Sequence, residues 1–248
     1  NADAAALISR RQNYEQLEEN FRFLHRETHA HLHADLIAGL PGEDLDSFAR
    51  GFDRLIALGP QEIQVGLLKR LRGAPISRHD AAWEMVYSPQ PAYEILRTKL
   101  VDFQGLQSIR RFARYWDLIG NSGNFVETTP LLWARAPSHE LSATATQPSP
   151  FARFSALTEW LYRREGRQHG IALVTLMQEL FLYLTTEAGL DPERVAGALW
   201  RDFQRGNRGE VPPFLRPHLS RVEIVSARRR QEKSDAPVRQ SRHLEPTK

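Results

Sequence analysis

The 248-residue sequence contains no cysteine. Disulfides, thiolate nucleophiles and cysteine-ligated zinc or iron–sulfur sites are therefore excluded within these residues. The chain also lacks any apolar run near the ~20 residues of a membrane-spanning helix, and its first residues are too short in apolar length for a secretory signal. We therefore expect a cytoplasmic protein with no membrane partner. Because the first residue is Asn rather than Met, we interpret the chain as processed or as a piece of a longer polypeptide.

The net charge is small, +3, and much of the positive excess lies in residues 221–248. In that segment Lys and Arg outnumber Asp and Glu. No aromatic side chains accompany these charges, as binding to single-stranded nucleic acid would require. We therefore predict a solvated, disordered basic tail and do not favour a nucleic-acid partner.

The first part of the chain alternates helix and strand signals. A capping signal and an apolar stripe predict a helix over Asn13–Thr28. A strand is predicted over His31–Leu40, a helix over Asp44–Leu58 and a second strand over Glu62–Leu71. Alternating helices and strands with short connections are typical of a parallel α/β sheet or barrel.

Residue alternation gives each predicted strand one apolar face and one partly polar face. Both faces of a doubly wound sheet meet helices and should be apolar. Polar side chains on the second face therefore predict a barrel lumen that holds a ligand. The residues predicted to face this lumen and a small-molecule substrate are His33, Asp35 and Gln64.

The remaining chain is predicted to be mostly helical. An extended piece at Glu84–Tyr87 precedes a long helical stretch from about Ala92 to Leu118. After a loop rich in Ala, Thr, Ser and Pro, further helices are predicted from Pro150, over Ile171–Ala188 and after Asp191. No catalytic signature lies in this helical part.

The turn after the first strand reads GLPGED, residues 39–44. Gly39 and Gly42 would leave backbone groups accessible to a ligand, and Pro41 would fix the turn. Glu43 and Asp44, at a helix start, argue against a phosphate and favour hydroxyl or amine donors. An ordinary capped turn between strand and helix explains the same residues at least as well.

The second strand leaves through KRLRGAP, residues 69–75. Arginine binds carboxylates and phosphates with two parallel hydrogen bonds, so this segment could bind the acidic group of a ligand. Such cations more often form a solvated edge.

Four histidines crowd one segment: His25, His29, His31 and His33. With Asp35, the last two place imidazoles and a carboxylate on one strand face, a set that suits a divalent metal. Hydrogen-bonded structural histidines are the simpler interpretation. A metal-dependent hydrolase using His31, His33 and Asp35 is thus one alternative function, and a non-enzymatic helical interaction module with a basic tail is another.

Three stretches of the sequence resemble radical S-adenosylmethionine (SAM) enzymes, especially the cobalamin-binding-domain subfamily. The strand and turn DLIAGLPGE resemble the fifth strand unit of these enzymes, and RLRGAP resembles the exit of the sixth strand. The following stretch, from MVYSPQPAYEIL to RRFARYWDLIGNSGNF, resembles the helical region after the barrel. The resemblance covers about residues 13–125.

This resemblance implies a six-stranded partial barrel in which three cysteines hold a 4Fe-4S cluster. SAM binds the unique iron of that cluster and is cleaved to a 5′-deoxyadenosyl radical. The cluster ligands and the usual cobalamin domain would lie upstream of this chain, in the missing N-terminal half of the same polypeptide. We therefore expect this fragment alone to be inactive, with SAM, the cluster and cobalamin as cofactors of the complete enzyme.

The resemblance also places residues around SAM. The end of the first strand would pack against the adenosine, the turn would be shaped by its Pro, Gly and Glu, and the exit of the second strand would line the adenine side. No catalytic residue is assigned. The cofactor-binding candidates are Ile37, Gly39, Leu40, Pro41, Gly42, Glu43, Leu68, Arg70, Arg72, Gly73 and Pro75.

The predicted fold class is α/β, the last strand–helix units of a partial TIM-like barrel, followed by an α-helical C-terminal domain. Residues 1–75 would be the C-terminal portion of the barrel, and residues 76–135 a helical extension. Residues 136–220 would form the helical domain, and residues 221–248 the basic tail.

Overall fold

A computed structural model describes residues 1–10, 13–134, 149–206 and 210–220. The predicted basic tail and most of the predicted loop between the helical regions lie outside the described residues. The fold is mixed α/β and mostly helical. The chain divides into two compact units, residues 1–116 and 117–248. This division differs from the four predicted segments, which stay a prediction.

The first unit contains a parallel pair of strands. Helices α1 (Ala2–Leu7) and α2 (Tyr14–Glu27) precede strand β1 (His33–Ala38), helix α3 (Leu45–Leu58) and strand β2 (Glu62–Leu67). The predicted helix, strand, helix, strand order is confirmed. Both strands are shorter than predicted, and β1 ends where Gly39 adopts φ +86°.

Register places the carboxyl ends of β1 and β2 at the same edge, because His33 pairs with Glu62 and Ala38 with Leu67. Most of the predicted apolar face is buried, whereas Leu36 and Val65 are half-buried, and Leu36 of β1 points toward Gly51 of α3. Among the described residues β2 is the only sheet neighbour of β1, and no closed barrel forms. The α/β class is therefore confirmed, whereas the partial barrel stays a prediction.

Local capping explains where the two long helices begin. The Asn13 side chain accepts a hydrogen bond from the Gln16 backbone N–H at 3.1 Å. The Asp44 side chain accepts one from the Ser47 N–H at 2.8 Å, and α3 ends at Gly59 in the left-handed conformation. These are the caps expected from the sequence.

A short antiparallel pair follows, β3 (Val86–Tyr87) and β4 (Ile95–Arg97). The extended piece predicted at Glu84–Tyr87 is thus confirmed in part. The helix predicted from about Ala92 is wrong at its start, because Ile95 donates its N–H to Leu68 O and is wholly buried. This long-range pairing holds the segment extended.

Helix α4 (Phe103–Ile119) begins only after this segment. Asp102 accepts a hydrogen bond from the Gly105 N–H at 2.8 Å and so caps the helix. In the core of the first unit, Phe52 of α3 makes edge contacts with Phe112 and Trp116 of α4, each with ring centroids 4.9 Å apart. Aromatic packing therefore joins α3 to α4.

The described part of the second unit contains helices and no strand. Its long helices are α5 (Pro150–Glu165), α6 (Leu173–Leu182) and α7 (Pro192–Arg205). Ser149 and Asp191 cap α5 and α7, as expected. A π-helical turn over Tyr183–Glu187 extends α6. None of the helices in the described ranges is long and apolar enough to cross a bilayer.

A buried carboxylate organises this second unit. Asp202 on α7 is 1% exposed and accepts hydrogen bonds from Glu127 N–H, Thr128 N–H and Thr128 Oγ1, at 2.9, 2.9 and 2.7 Å. Burial raises the pKa of Asp202 to about 6, although these three hydrogen bonds act to lower it. The Glu127 side chain pairs in turn with Arg201 and Arg205. The chain near residue 127 is therefore attached to α7 at several points.

We expect Asp202→Ala to lower the free energy of unfolding by about 2–4 kcal/mol, because three donors lose their acceptor in a buried site. Thr128→Val removes only one of those donors and should cost about 1 kcal/mol. Urea unfolding of both variants, followed by circular dichroism, measures the difference. Equal losses would show that Asp202 does not act as the shared acceptor.

Candidate functional site at the carboxyl ends of the parallel strands

One face of the β1–β2 sheet is open. We call it the open face; it carries His33, Asp35 and Ile37 of β1 and Gln64 and Gly66 of β2. His33, Asp35 and Gln64 are exposed, and His33 Nε2 lies 3.2 Å from Asp35 Oδ1. The predicted alternation of buried and polar side chains is confirmed in β1, whereas contact with a substrate stays a prediction.

At the carboxyl end of the open face, polar side chains give way to an apolar surface. Ile37 is 38% exposed and pairs in register with Gly66. A Cβ atom added to Gly66 would meet nothing within 4 Å. The two residues therefore leave a flat, partly apolar surface with free space above it, which suits the face of an aromatic ring.

The glycines of the GLPGED turn are in contact with protein side chains. Gly39 has φ +86°, and a Cβ there would lie 2.6 Å from Ile95 Cγ2. Gly42 has φ +80°, and its Cβ would lie 2.8 Å from Leu7 Cδ1 and 3.4 Å from the Trp83 ring. Backbone conformation and close packing thus require glycine at both positions. The predicted SAM contact remains a separate prediction.

Glu43 closes this turn in an unusual environment. It is 6% exposed, and Oε2 is buried with no hydrogen-bond partner among the described residues. Burial raises the pKa of Glu43; the α-amino group of Asn1 lowers it and Asp44 raises it further. A buried carboxyl group without a donor is costly when ionised.

At the exit of β2, the predicted cofactor-binding residue Arg70 contacts Asp80 and Tyr87, to which the sequence assigned no role. Arg70 pairs with Asp80 at 2.8 Å and lies over the Tyr87 ring, with 5.5 Å from Cζ to the ring centroid. Burial raises the pKa of Tyr87 to about 12; Asp80 adds to the rise and Arg70 opposes it. The Arg70 side chain therefore makes contacts within the protein, with Asp80 and Tyr87. No local signal marks Asp80 or Tyr87, because their partner is reached only through the fold.

The other predicted cofactor-binding residues have varied surroundings. Pro41 is buried, and Leu40 is half-buried. Leu68 donates its N–H to Ala38 O at 2.9 Å, which continues the parallel pairing beyond β2. A final set lies at the exposed end of the exit: Arg72, Gly73 and Pro75.

The histidine row does not form a metal centre in the described part of the chain. His31 Nε2 lies 3.1 Å from Glu62 Oε1, His33 pairs with Asp35, and His25 Nε2 lies 3.1 Å from Leu58 O. Within the described ranges, no group of three or more His, Cys, Asp or Glu side chains could hold a metal ion. No observation therefore favours the metal-dependent hydrolase.

Comparison with known families finds a match for the later part of the chain. Residues 81–245 match a family described as "Protein of unknown function (DUF4080)", and this match covers more than half of the 248 residues. The chain belongs to the DUF4080 family. No curated protein matches it. The matched region of this DUF4080 protein begins after the parallel strands, so every predicted SAM-contacting residue lies before it.

We expect Gly39→Ala to destabilise the DUF4080 protein by about 2–4 kcal/mol, because the new methyl group adds overpacking to an unfavourable positive φ. Gly73→Ala is the matched control: its φ is +80°, but a Cβ there meets nothing within 4 Å. That variant should cost about 1–2 kcal/mol, from conformation alone. Urea unfolding of the two variants checks this; equal losses would refute the close contact with Ile95.

Proposed function

We propose that this chain is the C-terminal part of a radical SAM enzyme whose cofactors are SAM, a 4Fe-4S cluster and cobalamin. One observation carries the proposal. The β1–α3–β2 unit is parallel and has a helix on one face, while its other face is open, polar along the strands and apolar at their carboxyl ends. The open face would form part of the wall of a substrate pocket.

The open face supports a barrel over a doubly wound sheet. In a doubly wound sheet a second layer of helices would cover this face, and its residues would be apolar. In a parallel barrel the same residues face the lumen, and ligands bind at the carboxyl ends of the strands. His33, Asp35 and Gln64 fit a polar lumen wall, and Ile37 with Gly66 fits the binding end.

The free edge of β1 also supports the proposal. Within the described ranges its backbone groups pair with β2 on one side only. An exposed strand edge readily pairs with another strand. A neighbouring strand from the remainder of the proposed barrel would satisfy these groups.

The residues of this chain suit the binding of SAM, but they provide no cysteine ligand for the iron–sulfur cluster. The free space above Gly66, beside the exposed Ile37, would accept the adenine of SAM. The chain has no cysteine, so the cluster, which supplies the electron for SAM cleavage, would be held by residues outside it. The cobalamin part of the proposal rests on the sequence resemblance alone, and the fragment by itself would be inactive.

The first test is on the complete protein, purified and reduced without oxygen. We expect about four irons per chain and formation of 5′-deoxyadenosine from SAM. Iron content and product analysis by mass spectrometry measure both. Absence of iron and of product would reject the radical SAM proposal.

A second test locates the adenine. In the complete protein, Gly66→Val should weaken SAM binding by about tenfold or more, because its isopropyl group would fill the space beside Ile37. Gln64→Val is the matched control, on the same strand and the same face, and should change the affinity by less than about twofold. Valine suits a strand at both positions.

Isothermal titration calorimetry gives the two affinities. If the Gly66→Val variant and the unsubstituted protein bind SAM equally well, the adenine does not bind at this surface. A similar loss in both valine variants would point to a general effect on the sheet instead.

A further inference from the structure

Tyr93 has an unfavourable backbone conformation. Its φ is +58°, in the left-handed region that bulky L-residues rarely adopt because their Cβ approaches the following carbonyl oxygen. Hydrogen bonds hold the residue there: its N–H donates to Gln90 O at 2.7 Å, and its O accepts from the Arg70 N–H at 3.0 Å. Glycine would adopt the same conformation at lower cost, so the presence of tyrosine needs an explanation.

Packing within the protein does not supply that explanation. The Tyr93 side chain is 45% exposed. Within the described ranges it makes no hydrogen bond and no contact with another aromatic ring. Strained residues that persist in a fold are concentrated at ligand-binding and active sites. A tyrosine held rigidly with its ring exposed therefore suits contact with a ligand, because the ring loses little conformational freedom on binding.

Register places Tyr93 beyond the carboxyl end of β2. Lys69, which follows β2, forms an antiparallel bridge with Glu94. The next residue, Arg70, therefore lies opposite Tyr93, as the hydrogen bond between their backbones shows. Folds with parallel strands bind their ligands at this edge of the sheet.

The chain turns immediately after Arg70, and this turn carries two more exposed side chains. The Ala74 N–H donates to Leu71 O at 3.1 Å, which closes the turn. Leu71 is 60% exposed. Arg72 is exposed, and in the part of the chain that the structure describes it has no ion pair. An aromatic ring, an apolar side chain and an unpaired guanidinium thus lie within two residues of one backbone pair.

We propose that Tyr93, Leu71 and Arg72 form a binding site for an organic anion that carries a flat ring. The ring of the ligand would pack on Tyr93 and Leu71, and its anionic group would pair with the guanidinium of Arg72. The conformation of Tyr93 is then fixed before the ligand arrives, which lowers the entropic cost of binding. The site does not depend on the proposed enzymatic function.

Naphthalene-2-sulfonate is a suitable probe, because it consists of a flat ring system and one anionic group. Saturation-transfer NMR on the protein, without SAM, measures its dissociation constant, which we expect to be about 1 mM for a ligand of this size. Absence of binding at about 10 mM probe would overturn the proposal.

Two glycine variants separate binding from stability. Tyr93→Gly should weaken probe binding by about fivefold or more, yet raise the urea midpoint of unfolding, because the strained conformation is relieved. Glu84→Gly is the matched control: Glu84 is exposed and has φ +47°, so the midpoint should rise while the affinity stays the same. Unchanged affinity in Tyr93→Gly would overturn the proposal, and so would a lower midpoint, which would show that the ring stabilises the fold.

Two further variants test the groups of the site separately. Tyr93→Phe keeps the ring and should retain the affinity within about twofold. Arg72→Gln should weaken binding of naphthalene-2-sulfonate by about threefold or more and reduce its dependence on salt. The neutral probe naphthalen-2-ol should bind equally to Arg72→Gln and to the unsubstituted protein. Equal binding of the anionic probe by these two proteins would overturn the proposal.

Discussion

Parallel pairing of β1 with β2 is the constraint on which the rest of the first unit depends. The pairing brings both carboxyl ends to one edge and places Ile37 beside Gly66. A shift of one residue would turn the side chains of one strand to the opposite face. If β1 slipped in this way, Ala34 would leave the core and His33 would enter it. Burial of the apolar face against α3 therefore also determines which side chains occupy the open face.

In the turn after β1, protein side chains pack against the glycines that a ligand could otherwise approach. Ile95 approaches Gly39, while Leu7 and Trp83 approach Gly42. These contacts come from α1 and from chain beyond β2, and they hold the turn from different directions. The free space lies instead above Gly66, on the neighbouring strand. A ligand at this edge would therefore meet the open face of the sheet more readily than the side-chain-free surfaces of the turn glycines.

The second unit has its own organising group. Asp202 accepts hydrogen bonds from the chain at Glu127 and Thr128, and Glu127 pairs with arginines of α7. Membership of the DUF4080 family is carried mostly by this helical part, because the match starts at residue 81. The parallel strands and the family match thus concern largely different stretches of the chain. A function proposed from the strands has to be tested on the complete protein.

The sequence by itself determined the local structure: the caps at Asn13, Asp44, Ser149 and Asp191, the order of α2, β1, α3 and β2, and the polar face of β1. These features depend on neighbouring residues and on periodicity, which a single sequence displays. Tertiary structure alone decided that residues 95–97 form a strand, because Ile95 pairs with distant Leu68. It also decided that Gly39 faces Ile95 and that Arg70 pairs with Asp80. Each of these depends on contacts between residues far apart in the chain or turned toward each other by the fold, which no local pattern records.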